Sequence, residues 1–325
     1  MSLLGPYVHN IDPVIGTIFG IHLWWYGLSY TLGFFNAFNF IKKRRSRLSL
    51  TESQVFDLNI LIAVCVLVGG RVVEVVFYEW EFYSEHLALI PALWLGGMAS
   101  HGLLMGGLVA VWIFSRISGK PFLVMTDLLA APASFILGAG RIGNFIDGQI
   151  LGSITDVAWA VKFPDADGFR HPVVLYDGIK NLLIIPLLLI VGRRNLPAGF
   201  VTGLFLFLYS FLRIPIDIFR EYPTSLLGLA TGQALNIALS IAGVVVMILV
   251  YHLPRSDDDA GESKEADGPA AGVRWRKIAF ASILLFCLVI PSDWTQDIPG
   301  RYGHRHPGLV HSTIYPRIST EIASE

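Results

Sequence analysis

The stretch FLFLYSFLRIPIDIF, residues 205–219, carries Tyr209, Arg213 and Asp217 in an otherwise apolar run. Spaced at i, i+4 and i+8, the three lie along one helical face, drifting by about 40° per step. A second arginine, Arg141, stands three residues before Asn144 in GRIGNFIDGQILG, residues 140–152. Arg71 stands three residues before Glu74, and side chains at that spacing also share a helical face. His101 and Asp127 complete the set of ionisable groups in apolar surroundings. Such groups are costly to place in a bilayer and mark function by default. An internal Arg213–Asp217 ion pair that only fixes packing is one reading. An interior polar cavity holding two or more arginines is the other, favoured because several stretches contribute. Guanidinium forks match phosphate oxygens, so such a cavity suits a phospholipid headgroup. A proton-coupled transporter is the competing class, but the discontinuous helices in paired halves expected of one are not found.

The elements that must position these residues follow from composition. The chain has 325 residues, 54% hydrophobic and 15% charged, with a mean hydropathy of +0.59. Soluble domains carry about 25% charged residues. Apolar runs of spanning length lie at 14–41, 55–78, 96–114, 122–143, 173–192, 198–218 and 231–252. The sequence therefore predicts an all-α, polytopic integral membrane bundle with seven core transmembrane helices, because only helices or closed barrels satisfy the backbone in lipid. An eighth apolar run, 278–290, either spans or lies at the interface. The segment 86–97, broken by Pro91 and Gly96–Gly97, reads as interfacial or re-entrant.

The division is a membrane core at 1–252, an acidic disordered linker at 253–276, an eighth membrane segment at 277–291 and a polar tail at 292–325. KKRRSR at 42–47 and Arg116, Lys120, Arg193 and Arg194 put those loops in the cytoplasm and the N-terminus outside. The first apolar run lacks a basic leader or a cleavage-like end and is expected to be retained as an anchor. The net charge of −1 does not point to nucleic acid. Cys65 and Cys287 read as small buried hydrophobes. In the tail, His304, His306 and His311 could ligate zinc, although a solvated or docked tail is the preferred reading; no metal and no cofactor are expected.

At this point the residues resemble a known family. GAGRIGNFIDGQILG (138–152) resembles the signature of the phosphatidylglycerol–prolipoprotein diacylglyceryl transferases. WYGLSYTLGF (25–34), GGR (69–71), GGMASHG (96–102), Asp127 with APASFILGAGR, WAVKFP (159–164), RHPVVLYD (170–177), YSFLRIPIDIFR (209–220) and TGQALNIALSIAG (231–243) follow in the family's order. The resemblance covers roughly residues 14–252. It implies transfer of the diacylglyceryl group of phosphatidylglycerol to the lipobox cysteine thiol of prolipoproteins, with release of glycerol 1-phosphate, in a bacterial inner membrane. Carried over by position, Arg141 and Arg213 become phosphate-binding and leaving-group residues and His101 a candidate base. Tyr26 and Asn144 would orient substrate. Arg71, Asp147, Gln149, Gly152, Tyr209 and Asp217 would bind or support it, and Gly143 and Gly152 would permit close backbone approach. Tyr26 also reads as an interfacial aromatic, and His101 as a hydrogen-bonded histidine at a helix start.

The chain departs from that pattern in places. Asp147 and Gln149 exchange the family's asparagine and glutamate. Leu103 follows His101–Gly102 where a glycine is usual, and Val174 and Asp177 replace glutamine and glutamate. Asp147 is expected to assume part of the missing acid's role. The alternative is a divergent paralogue that binds phosphatidylglycerol without this transfer.

Overall fold

A computed structural model describes residues 6–148, 150–164, 166–220, 225–226, 229–252 and 272–292. Its helices are α1 (Trp25–Arg44), α2 (Glu52–Phe77), α3 (Trp80–Glu85), α4 (Ser100–Ser118), α5 (Phe122–Ile146), α6 (Val173–Val191), α7 (Phe200–Phe211), α8 (Ile214–Asp217), α9 (Thr231–His252) and α10 (Val273–Cys287). Six stretches are long and apolar enough to cross a membrane among the described residues: α2, α4, α5, α6, Phe200–Asp217 and Gly232–His252. With the family resemblance, they make this an α-helical multi-pass membrane protein.

Local chemistry sets the helix ends. Thr51 starts α2 with a capping box: its hydroxyl accepts from the Gln54 N–H at 3.1 Å, while Gln54 Oε1 accepts from the Thr51 N–H at 3.0 Å. At the far end of α4, Gly119 closes the helix at φ 70°. The α2–α4 interface rests on glycine: a Cβ on Gly102 would strike the Gly69 carbonyl, and one on Gly106 the Cys65 carbonyl. Asp127, in α5, caps α7 from outside. Its carboxylate accepts from the Gly199 N–H at 2.8 Å, the Thr202 N–H at 2.7 Å and the Thr202 hydroxyl at 2.6 Å.

The structure corrects the first predicted span. Residues 14–24 form a hairpin of β2 (Val14–Ile18) and β3 (Ile21–Trp24). Phe19 and Gly20 turn it, both with left-handed φ, as a two-residue hairpin loop requires. Hydropathy alone did not separate this apolar β-branched stretch from a helix. The helix starts at Trp25, and α1 is not among the six most apolar stretches; Asn36, Asn39, Lys42, Lys43 and Arg44 dilute it. Two further strands, β1 (Tyr7–Val8) and β4 (Val161–Lys162), pair in parallel beside the hairpin's end of the chain. The 86–97 segment, read as interfacial or re-entrant, holds two 3₁₀ turns, Leu87–Leu89 and Leu93–Leu95.

Helix α10 begins at Val273, inside the stretch assigned to the linker. It packs against α1 and α2. At its start, Arg276 pairs with Asp57 at 2.6 Å and Lys277 with Glu52 at 3.0 Å. Phe280 packs against Phe38 and Phe56. Past its end, the Leu288 carbonyl accepts from the Trp24 N–H at 2.9 Å. The rest of the linker and the tail with His304, His306 and His311 lie outside the described residues.

Candidate functional site

The last turns of α5, the first turns of α6 and the α7–α8 junction meet around one carboxylate. Asp177, on the first turns of α6, is 3% exposed. Its Oδ2 accepts from Arg141 Nε at 2.7 Å and from Arg213 Nη1. Its Oδ1 pairs with Lys180 Nζ at 2.8 Å. Arg213 also faces Asp217, with Nε to Oδ1 at 3.4 Å, and Asn236 from α9 donates to Asp217 Oδ2 at 2.9 Å. Three cations thus surround two carboxylates, which leaves one formal positive charge in a buried cluster. Such a surplus favours an anion.

Arg141 spreads its donors further. Nη1 donates to Asn144 Oδ1 at 3.2 Å and Nη2 to the Ser100 hydroxyl at 2.7 Å. Asn144 in turn donates through Nδ2 to the Ser292 hydroxyl at 2.5 Å. Tyr26 is buried beside this group, its hydroxyl 2.9 Å from that of Tyr30. Gly143 lets the two helices close: a Cβ there would lie 2.8 Å from the Tyr26 Cα.

The structure brings together Arg141, Asn144, Arg213, Asp217 and Tyr209. Lys180 Nζ donates to the Tyr209 carbonyl at 2.9 Å and stands 4.4 Å from the centre of its ring. His101 opens α4 next to Ser100, with Arg213, Asn236, Arg141 and Asp217 as its charged and polar neighbours. Its Nε2 is buried with no hydrogen-bond partner among the described residues. Asp147 is 1% exposed and caps the end of α5. Gly152 sits where two chain segments cross. It bridges to Arg220, and a Cβ would strike the His171 carbonyl. Gln149 lies outside the described residues.

Arg71 is placed differently. Its guanidinium donates to the carbonyls of Ile90, Leu89, Ala92 and Gly96 and to the Tyr83 hydroxyl. It knits the two 3₁₀ turns onto α2. Its donors face backbone carbonyls and the Tyr83 hydroxyl. Asp127 likewise stands apart as the α7 cap.

Sequence reasoning noted Asp177 only as a departure and missed Lys180, Ser100 and Asn236 as site residues. A signal was present: DGIKN at 177–181 puts an acid and a lysine at i, i+3 at the mouth of an apolar run. Among the described residues no group of three His, Cys, Asp or Glu stands close enough to hold a metal ion.

An apolar groove is lined by Leu103, Leu137 and Leu206, each within four residues in the chain of His101, Arg141 or Tyr209, and further along by Thr126, Ala130 and Thr202. Its lining along α5 runs from Thr126 to Leu137, about 16 Å at the helical rise. The arrangement can hold a phosphate at the cations and a hydrocarbon tail in the groove.

The chain is also similar to known proteins. A family model described as prolipoprotein diacylglyceryl transferase matches residues 13–249. The phosphatidylglycerol–prolipoprotein diacylglyceryl transferase of Pseudoalteromonas atlantica is 38% identical over 249 residues, covering 74% of this chain and 89% of that protein. That of Geobacter sulfurreducens is 36% identical over 250 residues, covering 74% and 96%. That of Pseudomonas paraeruginosa is 35% identical over 267 residues, covering 79% and 98%.

Proposed function

The chain belongs to the prolipoprotein diacylglyceryl transferase family, and on that premise we propose that it moves the diacylglyceryl group of phosphatidylglycerol onto the lipobox cysteine of prolipoproteins. The observation that carries this reading is the pair of arginines, Arg141 and Arg213, fixed on one buried carboxylate in a bundle that also holds an apolar groove.

In the proposed reaction the acyl chains occupy the groove and the phosphate lies against the two guanidinium groups. His101 Nε2 takes the proton of the cysteine thiol, since the thiolate is the nucleophile. The sulfur attacks the glyceryl carbon that bears the phosphate ester. The carbon–oxygen bond breaks, its electron pair passes to the phosphate oxygen, and glycerol 1-phosphate leaves with the charge that Arg141 and Arg213 stabilise. The thiol proton passes from His101 to the departing phosphate. Thiol and phosphodiester thus become thioether and phosphate monoester. Tyr26 and Asn144 orient the lipid, while Asp177, Asp217 and Tyr209 hold the cations in place. Asp147 provides part of the acid that Gln149 lacks.

The proposed topology has seven spanning helices, with α1 added to the six most apolar, in a bacterial cytoplasmic membrane with the N-terminus outside. Lys42, Lys43 and Arg44 at the end of α1 support a cytoplasmic position for that end. Helix α10 is the eighth span. It runs from the α2 start at Glu52 and Asp57 to the α1 start at Trp24, beside α1 all the way.

Purified protein given phosphatidylglycerol and a lipobox peptide should yield the thioether-linked diacylglyceryl peptide, read by mass spectrometry. Binding of the lipid with no product would replace this reading by a binding paralogue. Growth rescue of a cell depleted of its own transferase decides the same point in vivo.

A further inference from the structure

The region matched by the family model ends at residue 249, yet a residue beyond it reaches the site. Resting on the function proposed above, we infer that the C-terminal helix α10 is part of the transferase site and that Ser292 is a positioning residue acting through Asn144.

The contact is specific in its chemistry. Arg141 can only donate, so it takes the amide oxygen of Asn144. That leaves the amide nitrogen, buried with the rest of the side chain, in need of an acceptor. Ser292 Oγ is that acceptor, at 2.5 Å. Ser292 is itself 4% exposed, and its carbonyl accepts from the Gly97 N–H at 3.1 Å. It is clamped between the turn before α4 and the end of α5. An amide held from both sides has one orientation, and so has the guanidinium that reads it.

The rest of α10 is shaped to deliver this residue. Cys287 and Ile290 are fully buried. Gly27 in α1 has no Cβ where the Cys287 carbonyl passes, and any side chain there would collide with it. The Thr31 hydroxyl donates to the Leu284 carbonyl at 2.8 Å. Together with the Trp24–Leu288 bond, these contacts fix both the height and the rotation of the last turn. The ion pairs at the other end are partly exposed and set register more than stability. A helix that served only as an anchor would not need a buried polar residue just past its end.

The test compares wild type, Ser292→Ala, Ser292→Thr, Asn144→Ala and the double variant Asn144→Ala/Ser292→Ala. Each is measured for kcat, KM and phosphatidylglycerol affinity. Losing the acceptor of a buried amide should lower kcat about ten-fold in Ser292→Ala, with the purified protein still folded and only modestly less heat-stable. Ser292→Thr should restore most of it. In the Asn144→Ala background the second substitution should have no further effect. Full kcat and lipid affinity in Ser292→Ala, or the same loss in the Asn144→Ala background as alone, would overturn the inference. Were wild type to transfer nothing, the proposed function would fail first. The same coupling, read in phosphatidylglycerol affinity, would then decide the role of Ser292 by itself.

Discussion

Arg141, in the last turns of α5, and Arg213, at the α7–α8 junction, share a single acceptor atom, Oδ2 of Asp177. Two guanidinium groups held this close repel one another, and the carboxylate between them is what makes the pairing stable. Asp177 should therefore behave as a hub. Asp177→Asn leaves three buried cations around a neutral amide and should cost about 3–5 kcal/mol of stability, with transfer lost. Asp177→Glu keeps the charge and the residue the family commonly carries there, and should retain most of the activity. Detergent-solubilised melting curves and transfer assays on the two variants check this. Equal behaviour of the two would sink the charge argument.

The arginines are expected to act through geometry as well as charge. Arg141 uses three nitrogens on three partners, Asp177, Asn144 and Ser100. Lysine cannot reproduce that fork. Arg141→Lys should reduce kcat by roughly a hundred-fold, the scale of losing a preorganised donor to the developing charge. Expression and folding should be preserved. A Lys variant within two-fold of wild type would mean that a point charge is enough.

Much of this was legible in the sequence because it depends on local spacing. Arg213 and Asp217, at i, i+4, pair as read, and so do Arg141 and Asn144, at i, i+3. What the sequence could not show were the partners chosen across the fold. Arg71 looked identical in type to Arg141, and only the chain's return through Leu87–Leu95 supplies the backbone carbonyls it donates to. Asp127 looked like a site acid, but the N-terminus of α7 falls against it. The hairpin at 14–24 is apolar in the way a helix would be. Ser292 meets Asn144 across 148 residues of chain, and no periodicity connects them.

Asp147 tests the exchanged signature. It is buried and follows Asn144 by three residues, on the neighbouring face at the end of α5. If it has taken over part of the missing acid's role, Asp147→Asn should lower transfer roughly ten-fold, the effect of neutralising one buried hydrogen-bonding charge. Restoring the family's arrangement with Asp147→Asn and Gln149→Glu together should recover activity. Unchanged transfer in the single variant would refute the role.

His9 sets a pH limit on the packing around the end of α5. Its Nε2–H donates to the Phe145 carbonyl at 2.8 Å, and its ring lies against Phe145 and Phe163. Nδ1 is buried with no hydrogen-bond partner among the described residues. Burial therefore holds the imidazole below its ordinary value of 6.5, against the smaller upward pull of the Phe145 carbonyl. The native state keeps His9 neutral while the unfolded chain takes up a proton near 6.5. Stability from this group is full above that pH and falls as the pH drops below it. Wild type should lose melting temperature between pH 7.5 and 5.5 more steeply than His9→Gln, which cannot titrate. Parallel melting curves for the two proteins across that window would show that His9 is not the titrating group.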